Sequence, residues 1–492
     1  MTPTLILIGL SSYFLILLCI GYFTGKKATD DSYFLGNKQS IWWMVALGML
    51  SDSMSGVSFI SVPGAVFKSN FYYMQVVFGY FVGYLAIAYW LLPLYYKYNL
   101  TSIYTYLDQR FGVVEQRTGS FFFVVSRLLG AAGRLFLTAI VFQKFLFDPL
   151  GVPFFVTVAV IILLILAYTF KGGIKTLVLT DAIQSTFLIG GLLFTVVALL
   201  NSEVLSSVGL MDILKKSNHV SIVNSDFYSN SFFWKHFLGG AFMCIAMTGL
   251  DQNMMQKNLS CKSLNEAQKN MIATAFIVVL VNVVFLSLGA VMIEFFTQLG
   301  SFPEQTDQFF PTIALKYLGP AAGMAFVLGL SAATFSSADS VLTTLTTSTY
   351  FDLLGLDKNN NISGANKLFY RRVLHGLFAF LLLIAIMGFY KYSSGALIDV
   401  VLGLANYTYG PLLGLFALGI FTQTKTNPIG VIVVSLIVPL LCWYLGNNNF
   451  VSNLIGVNPL NLRYQFGFEL LILNGLFSFL GYYATSKIPK SL

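Results

Sequence analysis

Charged residues are scarce in this chain of 492 residues, at 10% of the sequence, whereas 57% of its residues are hydrophobic. A water-soluble globular protein needs about 25% charged residues to cover its surface, so the composition excludes that class. The four cysteines have no paired spacing, which argues against a disulfide framework or a zinc motif. The composition therefore predicts an integral membrane protein.

Catalytic motifs are also missing from the sequence. The three histidines, His219, His236 and His375, lie far apart without an HExxH pattern, and there is no GxSxG turn. We therefore expect a protein that is not an enzyme. The net charge of +8 is typical of the loop charges of a multi-pass membrane protein. We therefore expect the protein to lie in a lipid bilayer and to bind no nucleic acid.

Thirteen apolar runs are long enough to span a bilayer, which needs about 20 residues per helix. The loops on one side hold most of the Lys and Arg residues, Lys257 among them, so we expect a cell-membrane protein with its N-terminus outside and its C-terminus in the cytoplasm. The first run follows no basic segment, which indicates a retained span. The runs cover residues 4–24, 41–67, 71–97, 118–147, 153–170, 176–200, 232–256, 271–298, 319–352, 371–391, 396–421, 427–446 and 463–485.

Two of these spans are polar at mid-depth. The second contains Ser51, Asp52 and Ser55 and then Pro63, and the seventh contains the segment TGLDQN at residues 248–253. Unwound backbone at membrane depth survives where it is buried in protein or lines a cavity, and its carbonyls can then bind ions. Two interrupted helices five spans apart are what an inverted five-plus-five repeat predicts.

The ninth span places Ser336, Ser337, Asp339 and Ser340 in one turn. An acid at the centre of a membrane helix costs roughly 2.5 to 3.5 kcal/mol on insertion scales, so it normally faces a polar interior. Hydroxyls beside a carboxylate suit a small hard cation, which prefers several oxygen ligands. For Thr343 to Thr349, which follow, close helix packing is the favoured interpretation.

Four segments carry a resemblance to a known family. YTFKGGIKTLVLTDAIQ at residues 168–184 is similar to the signature of the sodium:solute symporter family, and DQNMMQKNLSCKSLNEAQK at 251–269 is similar to its second run. SAATFSSADSVL at 331–342 resembles the family's sodium-site helix, and YGPLLGLFALGIF at 409–421 resembles its late-helix pattern. The proline-type and sialic-acid-type branches are the most similar.

The resemblance implies an all-α LeuT fold in one transmembrane domain, residues 1–492. Its parts would be an extra N-terminal helix and loop (1–40), a first five-helix repeat (41–200), an extracellular loop (201–231), a second repeat (232–421) and two C-terminal helices (422–492). We also expect the chain to function as a monomer.

The resemblance also implies where Na⁺ binds. The common sodium site would take the carbonyls of Ser51, Met54 and Ala333 and the hydroxyls of Ser336 and Ser337. A second cation site would combine Asp181, Ser336, Asp339 and Ser340. Asp339 stands where those relatives have a small or hydroxylic residue. Two acids near one site repel each other unless a cation or a proton neutralises them, so the second ion is either Na⁺ or H⁺. Without the motif, Asp181 could equally cap a helix start.

The solute site is less constrained by the sequence. Arg127 and Arg134 lie seven residues apart on one face of the fourth span, and a buried guanidinium fits a carboxylate best. Arg134 resembles an arginine of the proline and sialic acid branches, whereas Arg127 more often has a structural role. Further candidates for solute contact are Ser55, Ser58, Asp251 and Gln252, although Asp251 could instead pair with a lysine.

These observations predict a sodium-coupled secondary symporter that imports a small solute by alternating access. The expected solute bears a carboxylate, such as an amino acid like proline, a sialic acid or a monocarboxylate. The alternatives are a sodium/sugar symporter of the same fold and a transporter-like sensor. The sensor is disfavoured because few residues follow the last span and no signalling domain is expected there.

Overall fold

The computed structural model describes residues 3–26, 30–206, 208–358, 363–392, 403, 406–446 and 466–486. Across these residues the chain is helical, with one isolated backbone bridge between Ser40 and Cys261 and no β-strand. The helices are α1 (Pro3–Gly25), α2 (Asp30–Leu35), α3 (Trp42–Ser53), α4 (Gly56–Ser69), α5 (Tyr73–Ala86), α6 (Leu92–Lys97), α7 (Thr105–Arg110), α8 (Val113–Phe142), α9 (Phe154–Leu200), α10 (Leu210–Lys216), α11 (Phe233–Cys244), α12 (Gln252–Leu259), α13 (Leu264–Leu299), α14 (Phe309–Thr312), α15 (Gly319–Ser348), α16 (Gly364–Tyr392), α17 (Gly410–Phe421), α18 (Pro428–Gly446) and α19 (Leu470–Thr485).

Apolar length defines eight membrane-spanning helices among the described residues, and the bent pair α3 and α4 adds a ninth. Two shorter apolar helices, Phe154–Thr169 and Leu470–Thr485, fall below that length. The predicted run at 396–421 lies partly outside the described residues. The all-helical membrane architecture is confirmed, and the count of thirteen spans stays a prediction.

The predicted break in the second span is present. Helix α3 ends at Ser53 and α4 begins at Gly56, with Met54 and Ser55 outside helical geometry at ψ 83° and 172°. The two helices bend by 60°. The last carbonyls of α3 therefore have no helical amide in front of them, because a helix end leaves these groups without partners.

The predicted break in the seventh span is also present. Helix α11 continues into a π-helical turn, Ile245–Gly249, and the helix stops at Leu250 and Asp251 before α12 begins. Asp251 is extended at φ −114° and ψ 121°. The chain thus has two interrupted helices in the positions that an inverted repeat requires.

The boundary expected between the runs 153–170 and 176–200 is present as a sharp kink. Helix α9 joins two helices at Gly173, where φ is 56° and ψ is −150°, and the apolar stretches Phe154–Thr169 and Gly173–Leu200 lie on either side of it. A Cβ atom at Gly173 would lie 2.4 Å from the carbonyl oxygen of Tyr33. Glycine is required here by both the positive φ and the close contact, and the chain changes direction at this single residue without a loop.

The helices that carry the polar residues pack together at the centre. Helix α15 packs along α9, and both contact α3, while α4 packs on α13 and α15. The side chains of α15 from Phe326 to Ser348 are buried except at Leu328, including the entire polar turn at Ser336 to Ser340. This packing brings the first break, the middle of α9 and the polar turn of α15 into one place.

Candidate ion and solute site

The first break lies directly against α15. A Cβ atom at Gly56 would lie 2.1 Å from the Thr334 hydroxyl oxygen and 2.4 Å from that of Thr138 on α8. These two hydroxyls hydrogen-bond to each other at 2.6 Å. The absence of a side chain at residue 56 therefore allows the broken backbone to reach α15, next to Ala333 and Ser337.

The five residues predicted for the common sodium site lie on the two helices that meet here. Ser51 and Met54 are buried at the end of α3, and the Ser51 hydroxyl has no hydrogen-bond partner among the described residues. On α15, the Ser337 hydroxyl donates to the Thr334 carbonyl at 2.9 Å, and Ala333 is buried beside it. Carbonyl and hydroxyl oxygens of this kind suit Na⁺.

Asp181 lies in the middle of α9 and is fully buried. Ser336 donates to its Oδ1 atom at 3.0 Å and Ser340 donates to its Oδ2 atom at 3.4 Å. Gly48 of α3 packs on Asp181, since a Cβ atom there would lie 3.2 Å from the aspartate Cβ atom. Three of the four residues predicted for the second cation site are thus joined by hydrogen bonds.

Asp339, the fourth residue of that set, has a different partner. The Tyr168 hydroxyl donates to its Oδ2 atom at 2.7 Å. Its Oδ1 atom is buried and has no partner in the described part of the chain. No hydrogen bond between described residues joins the Asp339 carboxylate to Asp181, Ser336 or Ser340.

Lys257 was interpreted as a cytoplasmic loop charge, and the structure contradicts this. It lies on α12 with a side chain that is 0% exposed. Its ammonium nitrogen lies 2.5 Å from Asp52 Oδ2 and also pairs with Asp181 Oδ2. The ammonium supplies one positive charge that the two buried acids share, since an unpaired buried charge is costly.

A cavity of about 90 Å³ lies beside this cluster. It is bordered by the first break, by α5 and α8, and by the π turn before the second break. Its lining includes the three predicted solute-site residues Ser55, Ser58 and Arg134. The remaining lining residues are Asp52, Ser53, Met54, Val57, Tyr73, Tyr80, Tyr84, Arg127, Met243, Cys244, Met247, Thr248, Met254 and Val278.

Asp251 and Gln252, also predicted for solute contact, do not line this cavity. Asp251 Oδ2 pairs with Arg127 Nε at 2.5 Å and accepts a hydrogen bond from Tyr409 at 2.7 Å. Gln252 accepts from the Ile103 amide and donates to the Thr101 carbonyl. In this structure both side chains hold protein segments together.

The two arginines that line the cavity differ in their partners. Arg127 is 3% exposed, pairs with Asp251 and donates to the Met247 carbonyl at 3.0 Å. Arg134 has neither an ion pair nor a hydrogen bond among the described residues. Its guanidinium borders the cavity, and no carboxylate of the described residues lies within ion-pair distance of it.

Several cavity residues were not singled out from the sequence. Tyr73, Tyr80 and Tyr84 all lie on α5 at intervals of seven and four residues, which places them on one helix face. That spacing was the available signal, but tyrosines at membrane depth are usually interfacial. Lys257 also had a signal, because the acids Asp52, Asp181 and Asp339 needed a basic partner.

No group of three or more His, Cys, Asp or Glu residues in the described ranges could hold a transition metal. The polar atoms at the centre belong to hydroxyls, carbonyls and carboxylates. This donor set fits a hard monovalent or divalent cation and does not fit zinc, copper or iron.

The sequence profile of the sodium:solute symporter family matches residues 33–437. The sodium/sialic acid symporter NanT of Aliivibrio fischeri is 26% identical over 437 residues, which cover 85% of this chain and 83% of that protein. The sodium/sialic acid symporter SiaT of Proteus mirabilis is 24% identical over 472 residues, 90% of each chain. The human sodium-coupled monocarboxylate transporter 1 is 25% identical over 428 residues, 83% of this chain and 67% of that protein.

The fold is also that of a solved structure, the substrate-bound outward-open state of a Na⁺-coupled sialic acid symporter. The two structures superpose with a TM-score of 0.82 at 19% sequence identity, over 98% of this chain and 99% of that one. The fold is therefore the LeuT type that the sequence predicts.

The family match and the fold together define a sodium-coupled membrane transporter. The chain belongs to the sodium:solute symporter family. Its coupling ion is Na⁺, its cargo is a small-molecule solute, and it is a multi-pass membrane protein and not an enzyme.

Proposed function

We propose that this protein uses inward Na⁺ flow to import a small carboxylate-bearing solute by alternating access. The observation that carries the proposal is the guanidinium of Arg134 on the cavity wall, which has neither an ion pair nor a hydrogen bond among the described residues. A solute carboxylate would supply the missing negative charge. Relatives named for sialic acid and for monocarboxylates support a carboxylate solute, because both solutes are carboxylates.

The comparison of the two cavity arginines supports the assignment of Arg134 rather than Arg127. The charge of Arg127 is already balanced by Asp251 at 2.5 Å, so a solute carboxylate gains less from it. Arg134 offers a planar fork of donors that fits a carboxylate with two parallel hydrogen bonds. The carboxylate end of the solute would therefore lie at α8.

The rest of the cavity wall favours a compact solute. Three tyrosines and the methionines Met243, Met247 and Met254 provide apolar surface, and hydroxyls come from these tyrosines and from Ser53, Ser55, Ser58 and Thr248. Methionine side chains adapt to irregular shapes. The cavity volume of about 90 Å³ favours a small monocarboxylate or an amino acid over a larger acid.

In this proposal Na⁺ binds the carbonyls of Ser51, Met54 and Ala333 and the hydroxyls of Ser336 and Ser337. The ion would then join α3 to α15 next to the cavity. Because Met54 and Ser55 also border the cavity, bound Na⁺ would order the solute site. Coupling is reciprocal, so the solute must raise the affinity for Na⁺ by the same factor.

Thermal unfolding of the purified protein tests the solute class. We would compare carboxylic acids with their primary amides, each with and without Na⁺, because a ligand stabilises the state that it binds. The expected result is stabilisation by an acid and not by its amide, and a larger effect in Na⁺. Stabilisation by neutral sugars alone would overturn the carboxylate proposal.

Uptake into proteoliposomes tests the role of Arg134. Truncating one partner of a buried charge pair typically costs about 2 to 5 kcal/mol, so Arg134→Gln should raise the KM at least 30-fold. Arg117→Gln is the matched control, since Arg117 is exposed on the same helix. An uptake rate that does not depend on the Na⁺ gradient would overturn the proposal of Na⁺-coupled transport.

We also propose that the N-terminus lies outside, that the C-terminus lies in the cytoplasm and that one chain is the transport unit. The basic loops support the orientation through the positive-inside rule. Protease accessibility of a terminal tag in sealed cells tests the orientation. Uptake by protein reconstituted at less than one copy per vesicle tests the monomer.

A further inference from the structure

Lys257 joins two acids from two other helices at the centre of the protein. Its ammonium contacts Asp52 on α3 and Asp181 on α9, and all three side chains are at most 1% exposed. Asn253 also donates to Asp52 Oδ2 at 3.4 Å. With both acids ionised, the cluster carries one positive and two negative charges, and the ammonium contacts both acids because an unpaired buried charge is costly.

Asp181 is the acid at which the family resemblance implies a second bound cation. Its two oxygens receive hydroxyls from Ser336 and Ser340, which belong to the same implied set. The Asp181 oxygen that faces Ser340 is the one that pairs with the Lys257 ammonium. A positive charge therefore already stands at the place where the second ion would bind.

We infer that Lys257 is a built-in cation that occupies the second cation position, so that this protein binds a single Na⁺ per cycle. This deepens the proposed sodium-coupled uptake. A lysine ammonium offers three hydrogen-bond donors and no acceptor, which suits two carboxylates at once. A Na⁺ ion at the same oxygen would be repelled by the ammonium at contact distance.

A bound ion and a lysine ammonium play different roles in a transport cycle. A free ion leaves the site in each transport cycle and so adds to the driving force, whereas a lysine stays with the chain. Lys257 keeps α3, α9 and α12 linked without consuming a second ion. The remaining ion at the common site alone would then set the thermodynamic coupling.

Equilibrium binding of radioactive Na⁺ to the purified, solute-free protein tests the inference. Lys257→Ala alone leaves two unpaired acids and risks misfolding, so the main variant is Lys257→Ala with Asp52→Asn, which keeps the charge of the cluster unchanged. This variant frees Asp181, Ser336 and Ser340 for an ion. We expect it to bind one more Na⁺ than the wild type.

Two control variants complete the test. Lys257→Arg keeps the charge and should bind as many ions as the wild type, and Lys257→Ala with Asp181→Asn lacks the acid and should gain none. A wild type that binds two ions, or a folded Lys257→Ala/Asp52→Asn variant that gains none, would overturn the inference. A wild type that binds no Na⁺ would instead overturn the proposed function, and the gain in the double variant would still report on Lys257.

Discussion

The two interrupted helices described above each stop for two residues, and they differ in the partners of their freed polar groups. At the first break, between α3 and α4, Ser55 makes no capping hydrogen bond and the Ser51 hydroxyl has no partner among the described residues. At the second break, between α11 and α12, Asp251 caps α12 by accepting the amides of Asn253 and Met254.

Side chains also donate hydrogen bonds to the backbone carbonyls of the second break. Tyr95 donates to the Gly249 carbonyl at 2.7 Å, Tyr104 donates to the Leu250 carbonyl at 3.0 Å, and Arg127 donates to the Met247 carbonyl. The first break keeps the Ser51 hydroxyl and the carbonyls at the end of α3 available for a ligand, whereas the second has its partners built in. An unwound helix by itself therefore does not identify an ion site, and the partners of its freed groups must be counted.

Among substitutions that test this difference between the two breaks, we expect the largest loss of stability at Asp251. Asp251→Ala removes a helix cap and leaves the Arg127 charge buried without its partner, which typically costs about 3 to 5 kcal/mol. We expect a large loss of thermal stability, measured by size-exclusion chromatography after heating. Asp251→Asn keeps the cap and should lose less. Equal stability of Asp251→Ala and the wild type would contradict the built-in role of this acid.

A smaller effect is expected at Tyr104. Tyr104→Phe leaves the Leu250 carbonyl buried without its donor, at a typical cost of about 1 to 3 kcal/mol. Thermal stability should fall, while the affinity for Na⁺ stays within about twofold because the second break binds no ion. Tyr98→Phe is the control, because Tyr98 is exposed and lies in the same region. A large change in Na⁺ affinity would show that the second break has a ligand role as well.

The smallest effect on stability is expected at the first break. Ser337→Ala should weaken Na⁺ binding about tenfold, equivalent to about 1.4 kcal/mol, with little change in the stability of the Na⁺-free protein. Ser51→Ala should leave Na⁺ affinity nearly unchanged, since the proposed ligand is the Ser51 carbonyl. Na⁺ titration followed by thermal shift measures both variants. A stronger loss in Ser51→Ala than in Ser337→Ala would contradict the proposed ligands.

Much of the fold was predictable because its signals are local. Hydroxyls, an acid and a proline in the second span predicted a break somewhere in it, and the structure places this break at Met54 and Ser55. The motif resemblance predicted the family, which the profile match confirms. In the site, the contacts of Ser336 and Ser340 with Asp181 follow the implied grouping.

The less predictable features depend on tertiary contacts. Lys257 follows an apolar run, so the positive-inside rule assigns it to a loop, and only the packing of α12 against α3 and α9 shows that it is buried. Arg127 and Arg134 share one helix face, yet their roles differ because Asp251, 124 residues from Arg127 in sequence, pairs with only one of them. No local sequence pattern shows which of the two arginines pairs with Asp251.

Gly56 limits which sequences can encode this protein. The atom that any other residue would add there falls within 2.4 Å of two threonine hydroxyls on two different helices. Protein interiors are close-packed, so a single methyl group would have to displace these hydroxyls and break the hydrogen bond between them, or move a helix. A position that has no side chain, and cannot bind the ion through one, therefore restricts the sequence beside the ion site.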